Sequence, residues 1–533
     1  MIRSEPFQAP DPIVRRRAGR CRAVAAWLSL DSALATALYW GTVAAYTAAF
    51  LLVRFPPCVD YPQHLALAAL LGRLLDPSAP EHAIYQADWL SYNGLFHVLT
   101  ALLSSALPAE WAGKLVLSCI PPVLGAAGLM LMRAAGRPPW YAALLLPLAY
   151  SFAMGWGFVN YCLAVPIALV TFTTWLRCLD GGRARWVVLG TLLVAYAHGV
   201  TLVALYLSLA IAFVARATPN ELGVRRYLRA ALRAGLPLLP AALYALVVFV
   251  HHTSAPHIGW TPEHDGQDVP GWSKLRGFLR LSAGNLGDHS DAVLMGGALT
   301  LVLALWVMRY LGRASTAPRS REFGALFGVW TLLYFVLPQT LFSTGFIFER
   351  VPIWIWAFAL SCAPIVTGVA ARPFRVLALG IALLSGLNTA RAFASLPDAG
   401  ARAILDRIPV GARVLQLNYR ADAPPILERP IWVHLAAYHL ARGRGEIAFD
   451  FTRYASLPVR LRDLGARPKL PSGVEWNPAA YGAAEPYARY YDTLLVVAEP
   501  GVTLRQLDPV NFHLDQPALL AEAGAFRLYR RVR

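Results

Sequence analysis

Asp60 is the first residue of this sequence whose type and position suit chemistry. It lies in the polar stretch FPPCVDYPQH, residues 55–64, directly after the first long apolar segment of the chain. A carboxylate at the edge of a membrane can act as a general base towards a hydroxyl or amine group. It could equally bind a metal ion together with His64, or cap the helix that follows it. The residue types alone leave these three interpretations open.

Further polar residues lie in or beside apolar segments. Asp88, in the sequence YQADW, belongs to the same loop as Asp60, so the two could share a site; a surface turn is the alternative. His97 follows within an apolar segment, where we expect a hydrogen-bonded packing residue. His198 lies in the middle of the long apolar segment 186–214, and a polar residue at a helix break often lines a cavity. A satisfied turn histidine is the alternative for His198.

Two later groups also combine residues that could do chemistry. The segment 251–291 is rich in histidine and aspartate, but its spacing matches no compact zinc pattern. We expect either a loop that folds over a substrate or a solvated connection. Glu349 and Arg350 precede an apolar segment, where they could form a structural ion pair or hold a phosphate through the guanidinium. The candidates in the first of these groups are His251, His252, His257, His264, Asp265 and Asp268.

These residues are embedded in a strongly apolar chain. Of its 533 residues, 57% are hydrophobic and 15% are charged, and the mean hydropathy is +0.47. Soluble proteins carry about 25% charged residues, so the composition favours an integral membrane protein. Apolar stretches that match a bilayer core of about 30 Å recur along the chain and predict about eleven crossing helices. The predicted fold class is therefore mainly α, a polytopic transmembrane helical bundle.

The sequence divides into three parts. Residues 1–31 predict an Arg-rich cytoplasmic tail without a signal-peptide cleavage site. Residues 32–395 predict the transmembrane domain, with outer loops over 54–94 and 251–291. Residues 396–533 are richer in charge and predict a small α/β domain on the outer face.

Local patterns predict some elements more closely. The segment 186–214 is too long for one perpendicular span and predicts two short helices that turn at His198, because the adjacent glycine eases a break. In the C-terminal domain, residues 403–407 suit a helix. Strands are predicted over 414–417, 493–497 and 526–530, the last alternating like an edge strand.

The net charge of +17 comes mainly from arginines between apolar segments. Such residues mark the cytoplasmic side of a membrane protein, so the charge favours a topology signal over a nucleic-acid surface. The N-terminus is then cytoplasmic and the C-terminal domain extracytoplasmic. Every Arg-rich loop obeys the rule only if the short apolar segment Leu95–Leu107 does not cross fully. Six cysteines, mostly within apolar segments, imply no disulfide framework.

The order of these features resembles the GT-C superfamily of membrane glycosyltransferases, which includes the protein O-mannosyltransferases and the aminoarabinose lipid A transferase. The acid Asp60 follows the first span, and YNGLFHVLTA at 92–101 is similar to the family's aromatic-rich segment. The break AHGV at 197–200 and the segment FERVP at 348–352 complete the resemblance. It covers most of the transmembrane part in outline, and the C-terminal domain fits it too.

The resemblance implies an inverting transfer of a sugar from a polyprenyl-phosphate or polyprenyl-diphosphate carrier, at the outer face of the bacterial inner membrane. Asp60 would be the base or would position the acceptor. Arg350, together with His198, would hold the donor phosphate. The other expected substrate-binding residues are His64, Asp88 and Glu349.

Two departures from the family pattern concern the catalytic chemistry. Asp60 is followed by Tyr61 rather than by a second acid, and the family's Pro pair before the second apolar segment is absent. No cofactor is assigned with certainty, and a divalent metal ion stays an alternative. The expected partners are a sugar-bearing polyprenyl phosphate, a lipid, glycan or protein acceptor, and membrane lipids, with no nucleic acid.

Two other functions also fit a chain of this kind. A solute transporter or lipid flippase needs polar residues near mid-membrane in several spans, whereas the polar residues here gather at the outer ends of the spans. A non-catalytic assembly protein on a GT-C-like fold differs from an enzyme only in an activity test. The sequence favours the membrane glycosyltransferase.

Overall fold

The computed structural model describes most of the chain. The described residues are 30–216, 223–253, 269–315, 319–341, 344–396, 400–419, 426–454, 456–463, 490–502, 504–507 and 518–530, with 465, 467, 468 and 478. Residues 1–29 of the predicted tail lie outside this set. So do four residues singled out in the sequence, His257, His264, Asp265 and Asp268.

The described part of the chain is mainly helical, as the composition predicts. We number the α-helices in chain order: α1 (Ala33–Leu52), α2 (Tyr61–Arg73), α3 (Leu95–Leu103), α4 (Ala109–Ser118), α5 (Ile120–Ala134), α6 (Phe152–Trp156), α7 (Val159–Leu179), α8 (Arg185–Ala197), α9 (Gly199–Arg216), α10 (Val224–Gly235), α11 (Leu239–Thr253), α12 (Gly271–Ala283), α13 (Ser290–Tyr310), α14 (Ser320–Val336), α15 (Pro352–Cys362), α16 (Ala371–Ala394), α17 (Ala401–Arg407), α18 (Ala437–Ala441) and α19 (Leu504–Leu507). The 3₁₀ segments are Pro80–Ala83, Pro139–Tyr150, Leu236–Leu238, Phe348–Arg350, Gly368–Ala370 and Phe451–Arg453.

Among the described residues, 7 helical segments are long and apolar enough to cross a membrane. Other apolar elements are shorter than the sequence predicts: α14 ends at Val336, α15 ends at Cys362, and Pro139–Tyr150 is a 3₁₀ segment. Pro147 inside that segment lacks the N–H that an α-helix requires. The membrane-type helical fold is confirmed. The 7 segments are Ala33–Leu52, Ala109–Ala134, Val159–Leu179, Gly199–Arg216, Val224–Thr253, Ser290–Tyr310 and Gly368–Ala394.

The predicted break at His198 is confirmed. α8 ends at Ala197 and α9 begins at Gly199, and His198 between them has extended backbone angles, φ −165° and ψ 118°. A single residue with non-helical backbone angles is enough to move its side chain off the faces of both helices. The break therefore places the imidazole where two helix ends meet.

Two helices near the N-terminal end are not membrane spans. α3 has 9 residues, about 14 Å at 1.5 Å per residue, against a bilayer core of about 30 Å. This length supports the topology in which the segment Leu95–Leu107 does not cross fully. In α2, every residue from Tyr61 to Leu71 is buried. α2 is therefore an internal helix, packed on α3 and α18.

The C-terminal part of the chain forms a five-stranded sheet with the order β3-β2-β5-β7-β6. β2 runs parallel to β3 and β5, and β7 runs antiparallel to β5 and β6. α17 packs on β6 and β7, and α18 packs on β3, so the predicted α/β composition is confirmed. The strands are β1 (Tyr85–Ala87), β2 (Ala412–Asn418), β3 (Gly445–Ile447), β4 (Val459–Leu461), β5 (Thr493–Val497), β6 (Ala518–Ala523) and β7 (Phe526–Arg530).

The prediction that Phe526–Arg530 is an edge strand is wrong. The strand lies between β5 and β6, and its residues from Phe526 to Tyr529 are buried. Its alternation suggests one solvated face, but Arg527 is buried and pairs with Glu522 of β6 at 2.9 Å. A paired charge can occupy an interior position that an unpaired charge cannot.

The segment between α2 and α3 is tied to the C-terminal part. β1 pairs antiparallel with β4, with Tyr85 opposite Leu461. Beside this pairing, Arg467 lies 2.7 Å from a carboxylate oxygen of Asp450 and also contacts the Tyr85 hydroxyl. The side chains of Arg467 and Asp450 are 3% and 2% exposed, so the ion pair is desolvated.

We expect Arg467→Ala to lower the free energy of unfolding by about 3–5 kcal/mol, because it leaves the buried Asp450 carboxylate without its cation. The control is Arg402→Ala, since Arg402 pairs with Asp406 on the surface and such pairs contribute about 0–1 kcal/mol. Urea unfolding of the purified chain in detergent micelles, followed by intrinsic fluorescence, measures both variants. Equal losses would show that the Arg467 pair contributes no more than a surface pair.

Candidate active site

Asp60 is held at the N-terminus of α2 by a close backbone approach. Its N–H donates a hydrogen bond of 3.0 Å to the carbonyl of Trp156. Gly157 has a φ of +87°, and a Cβ there would lie 2.6 Å from the Asp60 nitrogen, so glycine alone suits this position. The Asp60 side chain makes no capping hydrogen bond to α2, which excludes the helix-cap interpretation. Its carboxylate, 18% exposed, is available to other partners.

One of these partners is His434, which sequence reasoning missed. The Nε2 of His434 lies 3.3 Å from Oδ1 of Asp60. The Gln63 side-chain amide donates to the Phe449 carbonyl at 2.6 Å and lies 3.3 Å from Nδ1 of His434. Because Gln63 presents an N–H to Nδ1, we assign the His434 proton to Nε2, from which it is donated to Asp60. No local motif marks His434, since only the fold brings it to Asp60.

His64 and His97 form a buried pair beside Asp60. The Nδ1 of His64 lies 3.1 Å from Nε2 of His97, and His97 donates from Nδ1 to the Asn93 carbonyl at 2.7 Å. Burial lowers the pKa of His97 to about 4, and burial together with neighbouring histidines lowers the pKa of His64 well below its usual value. Both rings are therefore neutral at neutral pH. The expected packing role of His97 is confirmed.

Arg350 and His198 lie side by side. Nδ1 of His198 lies 3.3 Å from the Thr201 nitrogen and 3.2 Å from Thr201 Oγ1, and Nε2 lies 3.5 Å from Nη1 of Arg350. The buried Nε of Arg350 has no hydrogen-bond partner in the described part of the chain. A buried guanidinium with an N–H that nothing accepts suits an anionic acceptor, which the neighbouring imidazole can share.

Aromatic rings surround the Arg350 guanidinium. Its Cζ lies 4.3 Å from the ring centre of Phe158 and 5.7 Å from that of Tyr161. The Tyr161 hydroxyl donates to the Arg350 carbonyl at 2.5 Å, which fixes the backbone. Burial lowers the pKa of Arg350, while nearby groups that include Asp60 raise it. The guanidinium is thus held in one place, within electrostatic reach of Asp60.

The structure therefore collects four of the six predicted site residues in one region. Asp60 acts electrostatically on Arg350, as does Glu349 from the adjoining cleft described below, and His198 acts on His64. The cluster also includes His97 and His434. The four predicted members are Asp60, His64, His198 and Arg350.

Asp88 lies in a different cluster. Its carboxylate contacts Arg460 of β4 and lies 3.1 Å from Nε2 of His251 and 3.9 Å from Nε2 of His252. The two histidines belong to the last turn of α11, which extends to Thr253, so the predicted outer loop begins later than expected. None of these contacts involves Asp60, so the structure does not support one site shared by the two carboxylates.

Asp88, His251 and His252 are grouped closely enough to hold a metal ion, with ligand atoms within 4.8 Å of one another. The Arg460 guanidinium, however, contacts both the Asp88 carboxylate and Nε2 of His251, the latter at 2.9 Å. It occupies the place that a cation would take between these atoms. As arranged, the cluster does not fit a metal ion, because Arg460 already neutralises Asp88.

Glu349 faces a separate cleft of about 420 Å³. The side chain is 5% exposed, and its Oε2 has no hydrogen-bond partner among the described residues. Burial raises the pKa of Glu349 to about 7. No ion pair joins Glu349 to Arg350 among the described residues, so the contacts do not favour the structural ion pair of the two alternatives, although the two charges act on each other. Aromatic and cationic side chains also line the cleft, including Phe152, Trp156, Phe346, Lys274 and Arg429.

The aromatic lining of this cleft continues to Arg350. Trp156 and Phe346 have ring centres 4.8 Å apart, and Phe346 and Phe158 have ring centres 5.7 Å apart. Phe346 has a φ of 59°, a left-handed conformation that is uncommon for an aromatic residue. Strained backbone of this kind tends to cluster at functional sites. The cleft and the Arg350 region are therefore joined by one run of aromatic rings.

Comparison with known proteins finds a likeness in structure and none in sequence. The chain is similar to the crystal structure of ArnT from Cupriavidus metallidurans bound to undecaprenyl phosphate, with a TM-score of 0.54 and 11% identity. The similarity covers 93% of this chain and 97% of that one. The fold is GT-C-like. No protein-family model and no curated protein matches the sequence.

Because Glu349 is buried at the cleft, we expect the stability of the protein to depend on pH. Glu349 has a pKa raised from 4.5 to about 7, so the folded state keeps a proton that the unfolded state loses. Its contribution to stability is fully present below pH 4.5 and is lost as pH rises towards 7. One pKa unit corresponds to about 1.4 kcal/mol, so we expect Glu349→Gln to remove a pH-dependent loss of about 3 kcal/mol.

The measurement is the melting temperature of both proteins across this pH range. The wild type should lose stability relative to Glu349→Gln as pH rises, with a plateau above pH 7. Parallel pH profiles for the two proteins would contradict the burial of an ionisable Glu349.

Proposed function

We propose that this chain is a membrane glycosyltransferase that transfers a sugar from a polyprenyl-phosphate or polyprenyl-diphosphate carrier to an acceptor at the outer face of the bacterial inner membrane. The observation that carries the proposal is the buried Arg350 guanidinium, whose Nε has no partner among the described residues and whose Nη1 lies 3.5 Å from His198, with Asp60 among the groups that act on its charge. The ArnT-like fold supports the class of carrier, because that structure is bound to undecaprenyl phosphate.

Asp60 is the base in this proposal. Its carboxylate accepts the proton of an acceptor hydroxyl or amine as that group attacks the anomeric carbon of the sugar. The bond from the anomeric carbon to the phosphate oxygen breaks, and its electron pair leaves with the carrier phosphate. The products are the glycosylated acceptor and the free polyprenyl phosphate or diphosphate. The abstracted proton then passes from Asp60 to water.

Arg350 and His198 stabilise the leaving phosphate. Charge grows on the phosphate oxygens as the bond breaks, and prearranged donors lower the energy of that state more than the ground state. The Arg350 guanidinium supplies a fixed positive charge, and His198 supplies a neutral N–H. Their separation of 3.5 Å lets both bond the same phosphate group.

His434 and Gln63 are positioning residues in this scheme. His434 donates to Oδ1 of Asp60, which fixes the carboxylate and leaves Oδ2 to accept the proton. The neutral pair of His64 and His97 forms a wall beside it. The cleft at Glu349, with its aromatic lining, provides flat faces suited to a sugar ring.

The proposal assigns separate effects to two variants. We expect Asp60→Asn to lower turnover about 10²- to 10⁴-fold, because it removes the base, while the affinity for polyprenyl phosphate is retained. We expect Arg350→Gln to weaken polyprenyl-phosphate binding about tenfold to a hundredfold, because one charge-assisted hydrogen bond is lost. Turnover is measured by mass spectrometry of lipid-linked sugars in membranes, and binding by titration of the purified chain with undecaprenyl phosphate.

Matched controls are Asp406→Asn and Arg407→Gln, which make the same chemical changes on the exposed face of α17. Both should behave as the wild type. If wild-type and Asp60→Asn membranes contain the same lipid-linked sugars as an empty-vector control, the enzyme proposal fails and the transporter and assembly functions take its place. An arm with added EDTA tests the divalent-metal alternative.

A further inference from the structure

α10 begins the apolar segment Val224–Thr253, which ends just after His251 and His252. The helix carries two exposed stripes of side chains. An apolar stripe repeats every fourth residue, with exposed fractions of 67%, 55%, 72% and 67% at Val224, Leu228, Leu232 and Leu236. Residues spaced by four lie on one face of a helix. The adjacent stripe is basic and exposed and consists of Arg225, Arg229 and Arg233. Arg226 beside it is also exposed.

The opposite side of α10 is anchored to the helical bundle. The Trp175 indole N–H donates to the Ala234 carbonyl at 3.0 Å, and Tyr227 packs against Phe213 with ring centres 5.4 Å apart. Gly223, with a φ of +73°, precedes the first turn. These contacts fix the rotation of the helix, so both stripes stay turned away from the protein.

Length places α10 at the edge of the bilayer. The segment Val224–Thr253, which includes α10 and α11, has 30 residues. As one straight helix it would measure about 45 Å, against a hydrocarbon core of about 30 Å. The apolar residues 235–253, which are α11 and the turn before it, measure about 28 Å and account for the core, so the arginine-rich turns of α10 lie at the level of the lipid headgroups.

We propose that α10 is a binding site for anionic phospholipids. The apolar stripe of Val224, Leu228, Leu232 and Leu236 would contact acyl chains, while the adjacent arginines would bind headgroup phosphates. Helices with these two faces lie in the membrane interface and bind more strongly to anionic lipids. A second copy of this chain is a poorer occupant, because its own arginines would face these arginines. The inference is independent of the proposed transfer reaction.

The test uses the full chain in nanodiscs made from equal parts of phosphatidylcholine and phosphatidylglycerol. Native mass spectrometry of the released protein gives the ratio of the two retained lipids. We expect the wild type to retain more phosphatidylglycerol. Arg229→Gln should lower the ratio about fivefold, the effect of one basic residue near an anionic surface, and the variant with Arg225, Arg226, Arg229 and Arg233 all changed to Gln should lose the enrichment.

The control removes the same charge elsewhere, with Arg276, Arg402, Arg407 and Arg530, all exposed, changed to Gln. It should retain the wild-type ratio. Equal melting temperatures of the quadruple variant and the wild type in phosphatidylcholine alone verify that the variant is folded. If it is not folded, the lipid ratio of the single variant Arg229→Gln tests the proposal. Enrichment that survives in the α10 variants, or that falls equally in the control, would overturn the proposal. A wild type that shows no phosphatidylglycerol enrichment would also overturn the proposal. An acidic protein would then be the partner of α10.

Discussion

A buried guanidinium N–H without an acceptor is the constraint on which the candidate site depends. Nε of Arg350 has no hydrogen-bond partner among the described residues, while its Nη1 lies 3.5 Å from Nε2 of His198. The fold sustains this arrangement by fixing both groups: the helix break holds His198, and Tyr161 and Phe158 hold Arg350. An arrangement that is unfavourable when empty becomes favourable when an anion enters, so part of the binding specificity is already built into the protein.

The sequence predicted the features that depend on neighbouring residues. Long apolar stretches predicted a membrane-type helical fold, although 7 helical segments of the described residues, not about eleven, are long and apolar enough to cross. Gly199 predicted the break at His198, and Thr493–Val497 is a strand over the predicted residues. Features that depend on distant residues were missed. His434 has no local signal, and Asp88 and Glu349 were predicted to join Asp60 although the fold gives them other surroundings.

The surroundings of a charged side chain depend on the fold. Alternation predicted an edge strand over Phe526–Arg530, which contains Arg527, and Glu349 could have been the partner of its neighbour Arg350. The sequence shows the sign of a charge. It does not show whether the charged group is solvated or buried, nor which distant group neutralises it. In the structure, Glu522 compensates Arg527, while Glu349 is turned into a buried cleft where its proton is retained.

The contact between Asp60 and His434 also sets an order of events during synthesis. Gln63 and His434, which meet beside Asp60, are 371 residues apart in the chain. At about 5–20 residues per second, the ribosome needs roughly 20–70 s to make the intervening polypeptide. Throughout that interval the carboxylate lacks the imidazole that orients it. A nascent or truncated chain therefore has an incomplete candidate site, which is completed only when the C-terminal part has folded against α2.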